Sequence, residues 1–479
     1  MQTAIIKTVT KNTFWLLLGN LGNRLLSFLL IIVLARRLGA VGFGKFSFAQ
    51  SFPQLFVVLM DLGMGFLIIR EVARHKEQAS KCVGNVLALR IILSFFVFGL
   101  SALVIKLLNY PWEAQVLVYL FSAYFILVSW GALFSSIFMA YEKMEFNVLI
   151  SLFERVFIIL LCLLALQREL GLLTVGGIYC LGGVLSFLLS WGFLRFKFGI
   201  KPRLETDWRF IMPFLKESLP IAIGSALVIF YVYSNIVILS KLKGDQAVGW
   251  YSCGFYLAYY IQLIPSAFLG AIFPLMSRLF NDSQDMLKRV YQKAFSFMLA
   301  VTIPISLGGY LLADKIILYF YKPSFSNAIL VFQILILGTV FFCVYGFFGH
   351  FLVSINRQVV ATKITALAVA INLIIAFITI GRLGHLGAAI AIFISGLVSF
   401  SVCLVYLIKI DYSPIWFKPM LKVLIASFFM IIVLVLGKAI NLFLLIFFGF
   451  VVYACCLYLV RYFTAEDWRL IRAFREARK

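Results

Sequence analysis

The sequence predicts an all-α integral membrane protein with fourteen transmembrane helices, in two six-helix lobes that form a parallel pseudo-repeat, followed by two C-terminal helices. Three observations predict this fold. The 479 residues are 63% hydrophobic and only 13% charged, which is far from the composition of soluble domains. The apolar residues form continuous runs of about 20 residues or more, the length of a membrane-spanning helix. A short glycine pattern recurs at the same place relative to these runs.

The apolar runs are separated by short connections, none of which is large enough for a soluble domain. Their continuity excludes a β-barrel, whose strands are short and alternate apolar with polar residues. With the N-terminus placed inside, the cytoplasmic segments carry more than twice as many lysines and arginines as the opposite loops. This bias predicts both termini in the cytoplasm, an even number of spans and a cytoplasmic-membrane protein. The predicted spans are 13–35, 46–69, 83–105, 114–141, 146–166, 170–194, 218–240, 246–276, 294–313, 325–355, 364–381, 383–408, 419–437 and 439–460.

The net charge is +23. Because the basic residues flank the apolar runs, we expect them to orient the protein in the membrane rather than to bind nucleic acid. The eight cysteines are scattered and mostly lie inside the runs. No CxxC pair or Cys/His cluster occurs, so neither a metal site nor a disulfide framework is expected. No cofactor is expected either.

An internal repeat divides the chain. The pattern Gly39-x4-Gly44 returns 205 residues later as Gly244-x4-Gly249, each time between an odd and an even span. Parallel repeats of this kind relate two lobes by an axis along the membrane normal. The predicted domains are therefore 1–205 (spans 1–6), 206–411 (spans 7–12) and 412–479 (spans 13–14 with a basic amphipathic cytoplasmic tail).

The longest connection, 195–217, alternates basic residues with Phe, Trp and Ile. A plain linker and an interfacial amphipathic segment are the two alternatives. The aromatic residues, Trp208 among them, favour a segment that lies in the membrane interface.

Arg24 is the strongest candidate for ligand binding, because it lies inside the first span just after Gly19, Asn20, Gly22 and Asn23. A charge inside a spanning helix costs roughly 3 kcal/mol or more near the bilayer centre, so it should face protein or water. The glycines allow bending or close packing. Two hypotheses stay open at this point: a guanidinium that binds phosphate through its two parallel donors, and an ion pair with Asp61 in the second span.

Four further charged residues occur within or beside spans. Arg90 lies about two turns into the third span and can either snorkel to the cytoplasmic face or line a cavity. Glu154 and Arg155 are adjacent, so they point in different directions on a helix and at least one needs a partner on another helix. Structural pairing is the favoured role of that pair. Asp61 is the candidate for ion pairing or ion coupling.

Three basic residues crowd one predicted outer loop against the charge rule: Arg36, Arg37 and Lys45. They either rim an outward vestibule for an anionic cargo or are simply solvated. Nothing resembles a catalytic site, and no Walker sequence for ATP occurs. The outer loops are short and poor in paired carboxylates, which argues against an enzyme.

Several stretches of the sequence stand out together by their order and spacing. They are LARRLGAVGFGKFSFAQSF (34–52), DLGMGFLIIREVAR (61–74), KESLP (216–220), GDQAVGWYS (244–252) and IFPLMSR (272–278). In these stretches, and along its whole length, the chain resembles the Wzx-type polysaccharide flippases, which move O-antigen or capsule repeat units and share a superfamily with lipid II flippases and multidrug and toxin extruders.

This resemblance implies two lobes forming a V, alternating access and a lipid-linked oligosaccharide as cargo. It also implies that basic cavity residues bind the lipid pyrophosphate, for which the candidates here are Arg24, Arg90 and Arg155. Many relatives carry an aspartate where this chain has Asn235. Asn235 cannot ionise, so any ion coupling here uses another residue, such as Asp61, or is absent.

The function predicted from these features is translocation of an undecaprenyl-pyrophosphate-linked oligosaccharide across the cytoplasmic (inner) membrane, for lipopolysaccharide or other surface polysaccharide. Its expected partners are the cargo, membrane lipids, a polysaccharide polymerase and a chain-length regulator. One alternative is a cation-coupled multidrug antiporter on the same fold, which predicts an acidic cavity. Another is a membrane polymerase or ligase, which needs an outer catalytic loop.

Overall fold

The computed structural model describes residues 2–414 and 417–462, apart from the side chains of residues 2–10, 13, 263–264 and 267. Within these ranges the regular structure is helical throughout, which confirms the all-α class. The helices are α1 (Gln2–Asp61), α2 (Met64–Arg74), α3 (Ala79–Leu107), α4 (Trp112–Ala140), α5 (Met144–Gln167), α6 (Gly171–Gly192), α7 (Trp208–Ile261), α8 (Leu263–Asp282), α9 (Gln284–Leu311), α10 (Ala313–Phe320), α11 (Ala328–Ser354), α12 (Gln358–Leu383), α13 (His385–Lys409), α14 (Phe417–Leu436) and α15 (Leu442–Leu459).

Twelve helices in the described ranges are long and apolar enough to cross a membrane, so the membrane class predicted from composition is confirmed. Two of the twelve, Phe14–Arg74 and Trp208–Ile261, cover more than one predicted span because α1 continues through Gly39 and α7 through Gly244. The first of these ranges also includes α2. The arrangement of fourteen spans as six, six and two stays a prediction.

Gly39 and Gly244 carry the same backbone break inside α1 and α7. Gly39 has φ 68° and ψ −177°, and Gly244 has φ 76° and ψ −177°. This region of φ/ψ space is essentially restricted to glycine. Each break falls between two predicted spans, and the two lie 205 residues apart, so the backbone repeats at the same offset as the sequence pattern.

The first compact unit, Met1–Ser240, is a helical bundle centred on α4. Helix α4 packs against α1, α3 and α6, and α5 packs against α1 and α6. Aromatic rings fill much of the interior: the Tyr179 ring centre lies 5.8 Å from that of Phe46 and 5.1 Å from that of Phe121. Each of these rings buries a large apolar area and so contributes strongly to the packing of this core.

The second unit, Lys241–Lys479, is organised around α11, which packs against α9 and α13. Tyr291 on α9 lies 4.4 Å, between ring centres, from Phe351 on α11. The last two helices belong to the same core, since α14 packs on α9 and the Tyr453 hydroxyl of α15 donates to the Ala300 carbonyl at 2.7 Å.

The division between the units falls at Ser240, inside α7, so the first half of α7 belongs with α1–α6. The predicted functional domains 1–205, 206–411 and 412–479 stay a prediction. The predicted basic amphipathic tail from 464 onward lies outside the described residues.

The connection before α7 has the surface character expected of an interfacial segment. After a short π-helical turn at Phe193–Lys197, the chain is irregular up to Asp207. Phe196 is 85% exposed, Leu204 63% and Trp208 54%. Exposed apolar residues beside basic ones are typical of a segment at a membrane interface.

The glycine break allows a clean test of backbone strain. A Cβ added at Gly39 would meet nothing within 4 Å, so Gly39→Ala changes only the backbone preference. We expect a loss of about 1–3 kcal/mol of stability, because alanine is strained at φ 68° and ψ −177°. Thermal unfolding of the purified protein in detergent measures it.

Gly99→Ala is the matched control, because Gly99 lies inside α3 and a Cβ there also meets nothing within 4 Å. Alanine is favoured over glycine in a helix by up to about 1 kcal/mol, so this variant should be unchanged or slightly more stable. Equal shifts for the two variants would contradict the strain argument.

Candidate functional site

The second predicted span is interrupted directly after Asp61. Helix α1 ends at Asp61, Leu62 and Gly63 have φ values of 45° and 75°, and α2 begins at Met64. The sequence predicted one continuous helix over 46–69, and this detail is wrong. Interrupted helices at membrane depth free backbone polar groups and are found where protein or a water-filled cavity surrounds them.

Gly63 explains how the interruption fits the bundle. A Cβ added at Gly63 would lie 2.8 Å from the Ser218 carbonyl oxygen and 3.1 Å from the Ala222 backbone nitrogen. Only a residue without a side chain allows α7 to come this close. At the interruption, the backbone of the second span therefore lies in close contact with the first half of α7.

Asp61 and Arg90 form an ion pair at this interruption. Arg90 Nη2 donates to Asp61 Oδ1, and Arg90 Nη1 donates to the Ser129 carbonyl oxygen at 2.5 Å. The Arg90 side chain is 2% exposed and the Asp61 side chain 40%. Asp61 is thus paired with Arg90 rather than with Arg24, which had been one of the two hypotheses for Arg24.

A polar network on α3 and α4 holds Arg90 in place. The Ser94 hydroxyl donates to the Arg90 carbonyl oxygen at 2.6 Å. The same hydroxyl accepts a hydrogen bond of 3.1 Å from the Trp130 indole N–H. Because Arg90 is buried and its guanidinium already donates twice, it faces neither solvent nor lipid. Snorkelling to the cytoplasmic face, one of the two predicted placements, is not what the structure shows.

Arg24 has a different environment on α1. Its neighbour Asn23 donates through Nδ2 to the Ser151 hydroxyl of α5 at 2.8 Å, and a Cβ added at Gly22 would lie 3.0 Å from Leu152 Cδ2. The glycines therefore serve close packing on α5, and α1 stays helical here rather than bending. Arg24 itself is half-buried, and among the described side chains it forms no hydrogen bond or ion pair.

Glu154 and Arg155 meet a partner on a neighbouring helix, as their adjacency predicted. The Tyr124 hydroxyl of α4 donates to Glu154 Oε1 at 2.9 Å, and Glu154 is 7% exposed. Arg155 also interacts with the Tyr124 hydroxyl. The structure thus joins these three residues in one polar cluster, in which Tyr124 and Glu154 are buried and Arg155 is half-buried.

Asn235 and the three basic residues of the predicted outer loop are the remaining predicted site residues. Asn235 on α7 is fully buried. In the outer turn, Arg36 and Arg37 are exposed, whereas Lys45 Nζ pairs with Glu113 Oε2 at 2.5 Å. Lys45 is therefore engaged in an ion pair with the start of α4.

A second link between the second span and α7 was not predicted from the sequence. Arg70 on α2 holds Glu217 on α7 through two parallel hydrogen bonds, of 2.5 Å and 2.8 Å. This fork-to-carboxylate geometry is the most directional form of ion pair. Both residues fall in the stretches that carry the family resemblance and on the same predicted side of the membrane. These two facts were the only indication in the sequence that the residues could interact. Sequence could not show that they touch.

Removing Asp61 should destabilise the protein by leaving the Arg90 guanidinium buried without a counter-charge. We expect Asp61→Asn to lose about 2–3 kcal/mol, near the low end for a broken buried pair because Asp61 is 40% exposed. The double variant Asp61→Asn/Arg90→Met removes both charges and should recover part of that loss. Thermal unfolding of the purified protein measures all three forms.

Arg278→Ala is the control, since it breaks the Arg278–Asp282 pair, in which the two side chains are 72% and 61% exposed. Surface pairs contribute about 1 kcal/mol or less. An Asp61→Asn variant no less stable than Arg278→Ala, or a double variant less stable than the single one, would contradict the assignment.

With this geometry established, the chain can be compared with known proteins. A family model described as "Polysaccharide biosynthesis protein" matches residues 9–280, and one described as MatE matches residues 220–378. The "Probable low-salt glycan biosynthesis flippase Agl15" of Haloferax volcanii is 26% identical over 284 residues, 58% of this chain and 60% of that protein. The "Probable lipid II flippase MurJ" of Helicobacter pylori is 28% identical over 229 residues, 46% of this chain and 50% of that protein.

The chain thus spans half to three fifths of the length of these two curated relatives. Among solved structures, a lipid II flippase MurJ in an inward closed conformation has a TM-score of 0.78 at 18% identity, covering 93% of this chain and 98% of that one. An inward-facing multidrug resistance MATE family transporter of the MOP superfamily has a TM-score of 0.62 at 16% identity, covering 81% and 93%. These likenesses show a shared fold. Because the polysaccharide model matches more than half of the chain, the protein belongs to the polysaccharide biosynthesis protein family.

Proposed function

We propose that this protein is a flippase that moves an undecaprenyl-pyrophosphate-linked oligosaccharide from the cytoplasmic to the outer leaflet of the cytoplasmic (inner) membrane. Its family, and the relatives named as glycan and lipid II flippases, support this proposal. The product would feed O-antigen, capsule or another surface polysaccharide. Alternating access is the proposed mechanism, in which one binding site opens first to one side and then to the other.

The physical task explains why a protein is needed. A glycan head group loses the hydrogen bonds of its hydroxyls when it enters hydrocarbon, at several kcal/mol for each uncompensated group. The pyrophosphate adds charge, for which the penalty is larger still. A protein path therefore has to supply donors for the sugars and a cation for the pyrophosphate.

Arg24 is the proposed pyrophosphate ligand, and the observation that carries the proposal is that no described side chain pairs with it. Of the three arginines placed inside predicted spans, Arg90 is held by Asp61 and Ser129, and Arg155 interacts with Tyr124. Arg24 is half-buried and, among the described side chains, unpaired. A guanidinium left in this state inside a span is best stabilised by an anion that brings two acceptors.

Arg90 and Arg155 take a structural role in this proposal. Asp61 is the proposed coupling residue, because its carboxylate is 40% exposed while its partner Arg90 is buried. Neutralising Asp61 with a proton or cation would free the Arg90 guanidinium. Glu154 belongs to the structural cluster with Tyr124, and Asn235 cannot take part in proton exchange.

Further elements of the proposal rest on the sequence pattern. They are fourteen spans in two lobes and a final pair, both termini in the cytoplasm, and an outer vestibule rimmed by Arg36, Arg37 and Lys45. A polymerase and a chain-length regulator are the proposed protein partners, since they would act on the translocated unit.

A cation-coupled multidrug antiporter is the second candidate, favoured by the MatE match over residues 220–378. It would need carboxylates open to a cationic drug. Among the described residues of the first unit, Asp61 and Glu154 are both engaged, with Arg90 and Tyr124 respectively. The longer match to the polysaccharide model and the unpaired Arg24 favour an anionic cargo.

Replacing Arg24 tests the proposed function. Arg24→Ala should abolish surface polysaccharide in a strain that depends on this protein, while leaving its abundance in the membrane unchanged. Arg24→Lys should restore part of the export, because it keeps the charge but lacks the two parallel donors. The measurements are surface glycan by gel or antibody and protein by immunoblot.

The matched control is Arg382→Ala, which removes an exposed arginine at the end of α12 and should leave export intact. Normal export by Arg24→Ala at normal abundance would overturn the assignment of Arg24 as the cargo ligand.

A further inference from the structure

A basic cleft of about 760 Å³ lies between the segment after α2 and the connection that leads to α7. It is formed within the first unit, where the first turn of α3 (79–81) faces the connection that precedes α7. The residues that line it are Lys76, Glu77, Ala79, Ser80, Lys81, Gly199, Ile200, Lys201, Arg203 and Glu205. Four of them are cations and two are carboxylates.

Two of the four cations are already engaged by protein. Lys76 Nζ lies 5.3 Å from the centre of the Tyr141 ring, and Lys81 Nζ pairs with Asp207 Oδ2 at 3.2 Å. The Lys81 ammonium accordingly lowers the pKa of Asp207 through this hydrogen bond. Lys201 and Arg203 are exposed and have no ion pair among the described residues. Glu77 and Glu205 offset part of the positive charge, and with four cations to two carboxylates the lining of the cleft stays net positive.

The wall that carries Lys201 and Arg203 is fixed to α3. The Ser80 hydroxyl donates to the Lys201 carbonyl oxygen at 2.5 Å, and the buried Asn85 side chain accepts from the Asp207 amide at 2.7 Å. Any side chain at Gly84 would overlap the Arg203 backbone. The two cations are thus held on a defined wall of the cleft rather than on a free loop.

The same connection presents apolar side chains beside these cations. Phe196 is 85% exposed, Leu204 63% and Trp208 54%. Large apolar side chains of this kind favour the boundary between headgroups and acyl chains, whereas lysine and arginine reach the phosphate level. A soluble anion would need the basic residues alone, so the combination favours a ligand with both an anionic head and an acyl tail.

We propose that this cleft binds the phosphate of an anionic phospholipid of the cytoplasmic leaflet, with Lys201 and Arg203 as the ligands. The inference depends on the membrane placement in the proposed function, but not on the cargo. A bound lipid here would fix the connection from which α7 begins, next to the Arg70–Glu217 pair.

The test uses the full-length protein in detergent, titrated with phosphatidylglycerol or with phosphatidylcholine and followed by native mass spectrometry. The wild type should retain phosphatidylglycerol in preference to phosphatidylcholine. Lys201→Gln/Arg203→Gln should weaken phosphatidylglycerol binding by about thirtyfold, in line with the contribution of two basic residues at a membrane surface. Arg357→Gln/Lys363→Gln, which removes two exposed cations from the second unit, should leave binding unchanged.

Equal binding by wild type and Lys201→Gln/Arg203→Gln, or no preference for phosphatidylglycerol, would overturn the proposal. A parallel thermal-shift titration with inorganic phosphate separates the two sources of the anion. If phosphate alone stabilises the wild type as much as the lipid does, the cleft takes a free anion and the lipid assignment is wrong. No glycan is present in these assays, so their outcome is independent of whether the protein exports polysaccharide.

Discussion

The ion pair between Asp61 and Arg90 is the interaction on which the rest of the first unit depends. A guanidinium that is 2% exposed inside an apolar bundle is tolerated only with a counter-charge and hydrogen bonds. Asp61 supplies the charge, and the carbonyl of Ser129 accepts a further hydrogen bond. The interruption at Leu62 and Gly63 leaves Asp61 at the end of α1, next to the start of α7.

This pair also determines what remains for a ligand. Arg90 is paired with Asp61, and Arg155 lies in the Tyr124 cluster. Of the three arginines inside predicted spans, Arg24 is therefore the one that has no partner among the described side chains. The proposed distinction between structural and ligand-binding arginines thus depends on which side chains and carbonyl groups each arginine contacts. Composition alone treats the three as equivalent.

Much of the fold could be predicted from the sequence, because apolar run length and flanking charge are set directly by the bilayer. The break at Gly39 and its repeat at Gly244 followed from the glycine pattern, since glycine alone tolerates that backbone conformation. The interruption after Asp61 could not be predicted in the same way. Leu62 adopts a positive φ of 45°, which nothing in its side chain favours, and Gly63 is demanded by the approach of α7, which is distant in sequence.

The candidate site was predictable in its members but not in its pairings. Arg24, Asp61, Arg90 and Glu154 stand out as charges in apolar runs, whereas the pairing of Asp61 with Arg90, 29 residues apart, depends on how helices pack. Bending and close packing were both open for the glycines before Arg24, and the structure shows close packing of Gly22 on α5. Arg70 and Glu217 escaped notice because charges at the ends of spans are ordinary, and only the structure shows their two parallel hydrogen bonds.

The most direct measurement is the affinity of the purified protein, in phosphatidylcholine nanodiscs, for an undecaprenyl-pyrophosphate-linked oligosaccharide. If Arg24 holds the pyrophosphate and Arg90 is structural, Arg24→Ala should bind at least about tenfold more weakly, as expected for a lost charge-assisted hydrogen bond. A folded Asp61→Asn/Arg90→Met protein should bind within about threefold of the wild type, a difference below 1 kcal/mol. Wild-type affinity in Arg24→Ala, together with lost affinity in the double variant, would contradict the account.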